Sequence, residues 1–297
     1  MGKKNRFQLF LWLLYPIHFL PLFLLYWIAW PIGRLAYVFL KGRKHIGQVN
    51  LALCFPEKSP EERRKILKAN FHHMAVMFLE YSIAWYTSPK RIRRLVVYEG
   101  KDWLKKAEEQ AIPLTVFYPH FSALELGALR LNLDYPIISI FAEQRNSIIN
   151  QKIYEGRTRF HKFHPVYLQC RTKKLVSIFQ KLKHSDALFL YLSDQDFGAK
   201  NSVFVPFFNL AAATNTGLSR LSRISGRKVL PIVPIRQKNQ IRLKVFPILD
   251  NFPSDDVVDD MQRINQFLEE IIRQYPEQYF WLHKRFKTRP GKEKSVY

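Results

Sequence analysis

Near the N-terminus, "LFLWLLYPIHFLPLFLLYWIAW" (9–30) runs for 22 residues without a Lys, Arg, Asp or Glu. As a helix at about 1.5 Å per residue it would reach roughly 33 Å, enough for a hydrocarbon core of about 30 Å. A secretory signal has a shorter apolar core and a small-residue cleavage site. Here large aromatics continue to the end and no A-x-A follows. Pro16 and Pro21 predict a kink, so a bent, shallow insertion competes with a straight span. A buried core helix is disfavoured by the length alone. Lys3, Lys4 and Arg6 precede the run, and Arg34, Lys41, Arg43 and Lys44 follow it. The larger cluster is downstream, which places the bulk of the chain in the cytoplasm. A single membrane anchor over 1–45 and one catalytic-sized domain over 46–297 are the expected organisation.

The rest of the chain must work beside that membrane with a strong positive charge. Its 47 Lys+Arg against 24 Asp+Glu give a formal charge of +23. Such a surface attracts phosphates, in nucleic acid, in anionic lipid head groups or on an acidic carrier protein. The 24 Phe, 14 Tyr and 6 Trp suit contact with lipid or long acyl chains. Cys54 and Cys170 are the only cysteines, too few for a disulfide framework, and read most simply as small buried residues.

After residue 58 the pattern alternates between helix and strand. Ser59, Pro60 and Glu62 form a capping-box signature, and Leu67, Asn70, Phe71, Met74 and Phe78 then recur at helical spacing. "PLTVFY" (113–118), "PIISIF" (136–141), "ALFLYLS" (187–193) and "KVLPIVPI" (228–235) are short continuous apolar runs, as expected for strands covered on both faces. Helical patterns fall between them, near 122–132, 147–163, 172–183, 212–226 and 260–274. "QIRLKVFPIL" (240–249) alternates and predicts an antiparallel partner for its neighbour. The fold class is therefore α/β, with a mixed, mostly parallel sheet flanked by helices.

Sites in such sheets gather at the carboxyl ends of the strands. His120, in "FYPHFSALELG" (117–127), stands there after the first apolar run. Ser122 and Glu125 could be a simple capping box. That leaves His120 unexplained, since an imidazole at the sheet mouth has no packing role. The functional reading makes His120 a base and Glu125 the carboxylate that fixes its tautomer. The spacing by itself leaves both readings open.

Four blocks in order decide more than any one of them: "NLALCFPEKSPEER" (50–63), "HFSALE" (120–125), "SDQDFGAKNSVFVPFF" (193–208) with "AAATNTG" (211–217), and "PEQYFWLHKRFKTRP" (276–290). Together they resemble the late acyltransferases of lipid A biosynthesis, the lauroyl and myristoyl transferases. These are distant relatives of the glycerol-phosphate acyltransferases, which carry His-x4-Asp. This chain has His-x4-Glu, the usual form in the lipid A branch. The resemblance covers about residues 7–290. It implies a glycerol-phosphate acyltransferase-like fold and no cofactor. It also implies transfer of a fatty acyl group from acyl carrier protein to a hydroxyl on an acyl chain of a Kdo-bearing lipid A precursor, at the cytoplasmic face of the inner membrane. His120 would deprotonate that hydroxyl while Glu125 holds the imidazole.

The resemblance also marks Arg157, with Arg159 and Arg145 as weaker companions, for a lipid phosphate or a developing oxyanion. Asp194 matches the more constant position of the family's Asp-x-Asp pattern. It is able to orient a head group or a catalytic side chain; Asp196 is its partner. The plain alternative for both is turn formation. Thr214, Thr216 and Gly217 are expected to open a helix, with Thr216 near substrate phosphate. "FWLHKRFKTRP" mixes Trp281 and Phe286 with cations, as a membrane interface does, or else is a solvated basic tail. His72, His73, His161 and His164 lack the companions a metal site needs. A membrane-anchored nucleic-acid binder is the rival from another class, but no helix-turn-helix, zinc spacing or RNP-type strand supports it. The absence of a G-x-S-x-G elbow argues against a hydrolase. A sister acyltransferase acting on another glycolipid or a lysophospholipid is the nearer rival.

Overall fold

The computed structural model describes residues 14–142, 146–170, 182–237, 239–291 and 293–297. Arg145, nearly all of the expected 172–183 helix and the side chain of Cys170 lie outside them. In the N-terminal apolar run, Pro16 opens a short 3-10 turn, Tyr15–Phe19, and the backbone is extended at Leu20 and Pro21. Helix α1 (Leu22–Phe39) begins only after Pro21, where a missing N–H costs nothing. Among the described residues α1 is the one helix long and apolar enough to cross a membrane, a candidate anchor with 22% of its residues buried.

The two faces of α1 differ. Phe23, Trp27, Trp30, Leu35, Val38 and Phe39 point outward and are exposed. Leu22, Leu25, Ala29 and Gly33 are buried, the first three in one cluster with Ala75, Val76, Leu79 and Ile83 of α3 (Pro60–Tyr86). At Gly33 the backbones approach so closely that a Cβ would lie 2.8 Å from the His72 Cα. The expected division at residue 45 therefore coincides with no break in packing. Helix α1, the candidate anchor, is seated on α3. Between them runs α2 (Lys41–Cys54), whose buried Asn50 donates to the carbonyls of Trp281 and His283 at 2.7 Å each. Helix α3 starts with the expected capping box, formed by Ser59 and Glu62.

The domain continues as α4 (Pro89–Leu95), β1 (Val96–Glu99), α5 (Asp102–Glu109), β2 (Leu114–Phe117), α6 (Leu124–Asn132), β3 (Ile137–Phe141), α7 (Ser147–Thr158), β4 (Val166–Cys170) and β5 (Leu188–Tyr191). A hairpin of β6 (Ser202–Phe207) and β7 (Leu210–Asn215) follows, then α8 (Gly217–Ser225), β8 (Lys228–Gln237), β9 (Gln240–Val245) and α9 (Val257–Gln274). Seven strands form one sheet in the order β1-β9-β8-β2-β5-β3-β4. Every pair is parallel except β8–β9, the antiparallel pair that the alternation in 240–249 predicts. The central strands are apolar throughout because both faces are covered. Val116, Leu190 and Leu230 pack under α3 and α6, while Phe117, Phe189 and Val229 pack toward α8 and α9.

Two expectations fail here. Residues 212–226 are not one helix: "LAAATN" pairs antiparallel with β6, so Thr214 lies in a strand and α8 begins at Gly217. The alanines fit a helix locally, but pairing with β6 overrides propensity. The "FWLHKRF" segment is neither membrane interface nor solvated tail. Trp281, Phe286 and Arg285 are buried, with Arg285 donating to Ala213 O at 2.9 Å and Thr214 Oγ1 at 3.1 Å. It closes the core over the β6–β7 hairpin.

Candidate active site

His120 sits three residues beyond the carboxyl end of β2, in a turn held from outside. Phe280 N–H donates to His120 O at 3.0 Å, Ser122 N–H donates to Gln278 O at 2.9 Å, and Phe121 bridges to Tyr279. Asp194 follows β5, the parallel neighbour of β2, so both residues emerge at the same sheet edge. Its Oδ1 lies 2.7 Å from His120 Nδ1 and its Oδ2 accepts the His120 N–H at 2.9 Å. One carboxylate thus grips the ring and the backbone of the same residue. The Asp194 side chain is wholly buried and the imidazole one-quarter exposed. Burial works to raise the Asp194 pKa, but the adjoining imidazole and the amide bond outweigh it and hold the carboxyl below its ordinary value.

Glu125 does neither of the things its spacing suggests. The α6 N-cap is Ala123, with no side-chain cap, and Ser122 Oγ instead accepts from Arg236 Nε at 3.0 Å. Glu125 faces Arg157: Nε donates to Oε2 at 3.1 Å, Nη2 donates to Oε1, and Tyr81 OH lies 3.4 Å from Oε1. The fork-to-fork geometry suits Arg and not Lys. Gly156 makes it possible, since a Cβ there would collide with the Trp85 ring and push α7 away from α3. Burial opposes the charge on Arg157, yet Glu125 outweighs burial and raises the guanidinium above its usual range.

His120, Glu125, Arg157 and Tyr81 line one cavity of about 810 Å³. It straddles the carboxyl edge of the sheet. One arm runs beneath α6 past Leu129, Ile137, Val166 and Leu168; the other passes Tyr191 toward Lys200, Thr216, Arg220 and Leu221. The first arm is apolar enough for an acyl chain, and the second mixes Lys200, Thr216 and Arg220 with the apolar Phe197, Leu221 and Ile224. Among the described residues no group of three or more His, Cys, Asp or Glu gathers as a metal shell would require.

The remaining sequence candidates divide. Thr216 reaches the cavity, but its hydroxyl donates to Asn201 O at 3.0 Å. Asp196 is fully buried off the cavity, accepting from Gly198 N, Thr288 N and Thr288 Oγ1 at 2.8 Å each, as a turn-former does. Arg159 binds the carbonyls of Ala84 (2.7 Å) and Thr87, so it closes the last turn of α3 and does not face the cavity. Tyr81, Lys200 and Arg220 were not singled out by the sequence. Tyr81 had a signal: with Met74 and Met77 it follows helical spacing along the cavity face of α3.

A histidine gripped by a buried carboxylate thus stands beside an Arg–Glu pair in a cavity with a largely apolar wall. The model of the bacterial lipid A biosynthesis acyltransferase family matches residues 5–288. The chain belongs to that family. The chain is 35% identical over 281 residues to the lipid A biosynthesis palmitoleoyltransferase of Escherichia coli strain K12, covering 94% of this chain and 90% of the relative. It is 34% identical over 281 residues to the lauroyltransferase of the same strain, with the same coverage. To that strain's myristoyltransferase it is 27% identical over 278 residues, 90% of this chain and 84% of the relative. The acyltransferase thus matches relatives named for three different acyl groups over 90–94% of its length.

Proposed function

We propose that this acyltransferase moves a fatty acyl group from acyl carrier protein to a hydroxyl on an acyl chain of a Kdo-bearing lipid A precursor, with the catalytic domain on the cytoplasmic face of the inner membrane. The observation that carries the reading is the Asp194 grip on His120 Nδ1. With Nδ1–H donated to the carboxylate, Nε2 keeps its lone pair for the acceptor hydroxyl. His120 takes the hydroxyl proton as the oxygen attacks the thioester carbonyl, and Asp194 stabilises the imidazolium. The tetrahedral oxyanion is stabilised by Arg157, which Glu125 holds in place. Collapse breaks the C–S bond, and the imidazolium returns its proton to the leaving thiolate. No acyl-enzyme is needed. The role first considered for Glu125 passes to Asp194, and Glu125 becomes the positioning partner of Arg157.

The exposed face of α1 would hold the cavity beside the acceptor's own chains, and the +23 charge would draw in an acidic carrier. The test is transfer by the purified full chain from acyl carrier protein to the lipid A precursor in mixed micelles, followed by mass spectrometry. Transfer that His120→Ala abolishes is expected. Transfer only to another glycolipid or a lysophospholipid would replace the acceptor, and undiminished transfer by His120→Ala would remove the base.

A further inference from the structure

Glu125 is the only acidic side chain lining the cavity among the described residues, and Arg157 neutralises it. Lys200 and Arg220, on the arm beside α8, therefore face no lining carboxylate. Both side chains are exposed to solvent, and two like charges with no carboxylate beside them among the described lining residues raise the positive potential of this wall. Their placement is built. Gly198 and Asn201 turn with φ of 97° and 60°, and Asp196 Oδ1 accepts the Gly198 N–H at 2.8 Å. Ser202 Oγ donates to Gly198 O at 2.8 Å, while Thr216 donates to Asn201 O through both N (2.9 Å) and Oγ1 (3.0 Å). The turn carrying Lys200 is thus stapled to the residue that opens α8, one turn before Arg220. Asn201, Asn215 and Thr216 add polar groups to the same wall.

We infer that this arm is a phosphate-binding subsite, with Lys200 and Arg220 as the cations that hold it. The inference rests on the acyl-transfer reading of the cavity. A phosphate reaches such a site from two sources: the phosphodiester of the donor's pantetheine arm, or a sugar phosphate on the acceptor. Either would anchor its substrate at a fixed distance from His120. The acyl chain would then take the apolar arm beneath α6.

The experiment uses the full chain with Lys200→Ala, Arg220→Ala and the double variant, and Lys228→Ala as an equal loss of charge on a residue that does not line the cavity. KM is measured for intact donor and acceptor, for a donor with acyl-pantetheine lacking phosphate, and for phosphatase-treated acceptor. The double variant should raise KM for one intact substrate by about tenfold or more, the scale of a charge-assisted hydrogen bond. The rise should vanish when that substrate's phosphate is removed, and this names the source. Lys228→Ala should leave KM alone. In parallel, phosphorus NMR reads binding of phosphopantetheine and of glucosamine phosphate without any turnover. One probe should broaden with wild type and not with the double variant. Transfer failing in the wild type while this difference persists would defeat the acyl-transfer reading alone. An unchanged KM, an equal rise with and without phosphate, an equal effect of Lys228→Ala, or probes that bind neither protein or both alike would each overturn the subsite.

Discussion

Asp194→Asn is the sharpest test of the catalytic reading, because it changes one atom and keeps the shape. Asp194 accepts two hydrogen bonds from His120, at 2.7 Å from Nδ1 and 2.9 Å from the backbone N–H. An asparagine has one acceptor and one donor for these two donors. If its oxygen faces the ring, its amide N–H opposes the backbone N–H. If it flips, its N–H meets Nδ1 and forces the proton onto Nε2, which then has no lone pair for the hydroxyl. The charge-assisted bond alone is worth about 1.5–3 kcal/mol. With roughly 1.4 kcal/mol per tenfold, that is about 10- to 150-fold in rate. Adding the wrong tautomer brings the loss toward about 10⁴-fold, as in Ser-His-Asp triads. Because Asp194 does not line the cavity, the loss should fall on kcat and leave KM nearly unchanged.

Steady-state transfer in mixed micelles measures this, with thermal unfolding of the same preparations as the control for folding. Near wild-type kcat in a folded Asp194→Asn protein would refute the grip as a catalytic element. A rise in KM with kcat intact would instead make Asp194 a substrate contact.

Other outcomes follow from the same geometry. Glu125→Ala should lower kcat strongly by releasing Arg157, and Arg157→Lys with Glu125 intact should also lower it, because an ammonium cannot bridge both carboxylate oxygens; unchanged kcat/KM in both variants would take the pair out of the chemistry. His73 bears on acid stability: burial, Arg236 and His72 push it from an ordinary 6.5 down to about 3. Below 6.5 the unfolded chain therefore binds the extra proton, and stability present above that pH is lost progressively as pH falls toward 3. His73→Phe should flatten this limb of a Tm-against-pH curve. The two faces of α1 should separate: Leu25→Ala should cost about 2–5 kcal/mol of stability, whereas Trp27→Ser should weaken vesicle binding and leave Tm in detergent unchanged. A truncation of residues 7–33 that stays folded in mixed micelles would overturn the packed-anchor description.

Most of the sheet is legible because its central strands are buried on both sides. The runs at 113–118, 136–141, 187–193 and 228–235 enclose or overlap β2, β3, β5 and β8. Edge strands are harder: Val96–Glu99 and Val166–Cys170 are short, and neither shows a sustained apolar run. The β6–β7 hairpin hides because "LAAATN" has no local strand signal and is fixed by its partner. At the site, His120, Glu125, Arg157 and Asp194 are all readable as residues, while their pairing is not. Sequence proximity suggests His120 with Glu125. The parallel β2–β5 pairing brings Asp194, 74 residues away, to the imidazole instead. Arg157 comes to Glu125 through helix packing that depends on Gly156. Asp196 and Arg159 carry the residue types of a binding site, yet their bonding capacity is spent on Thr288, Gly198 and the end of α3. Only tertiary structure separates such residues from those left facing the cavity.

Helix α3 connects the candidate anchor helix α1 to the cavity. Ala75, Val76, Leu79 and Ile83 face α1, while Met74, Met77 and Tyr81 face the cavity. Glu80, on the same helix, forms a buried ion pair with Arg236, which in turn binds Ser122 through Oγ and the backbone carbonyl. Losing either partner of such a pair would leave an uncompensated buried charge, at about 3–5 kcal/mol. The helix that receives α1 thus also lines the cavity and, through Arg236, holds the turn next to His120. A long tether would raise the local concentration of enzyme and membrane lipid but leave the cavity free to rotate. With α1 as the proposed anchor, its packing on α3 would fix the cavity's orientation to the bilayer, so one element would set both where the proposed acceptor chain enters and where His120 meets it.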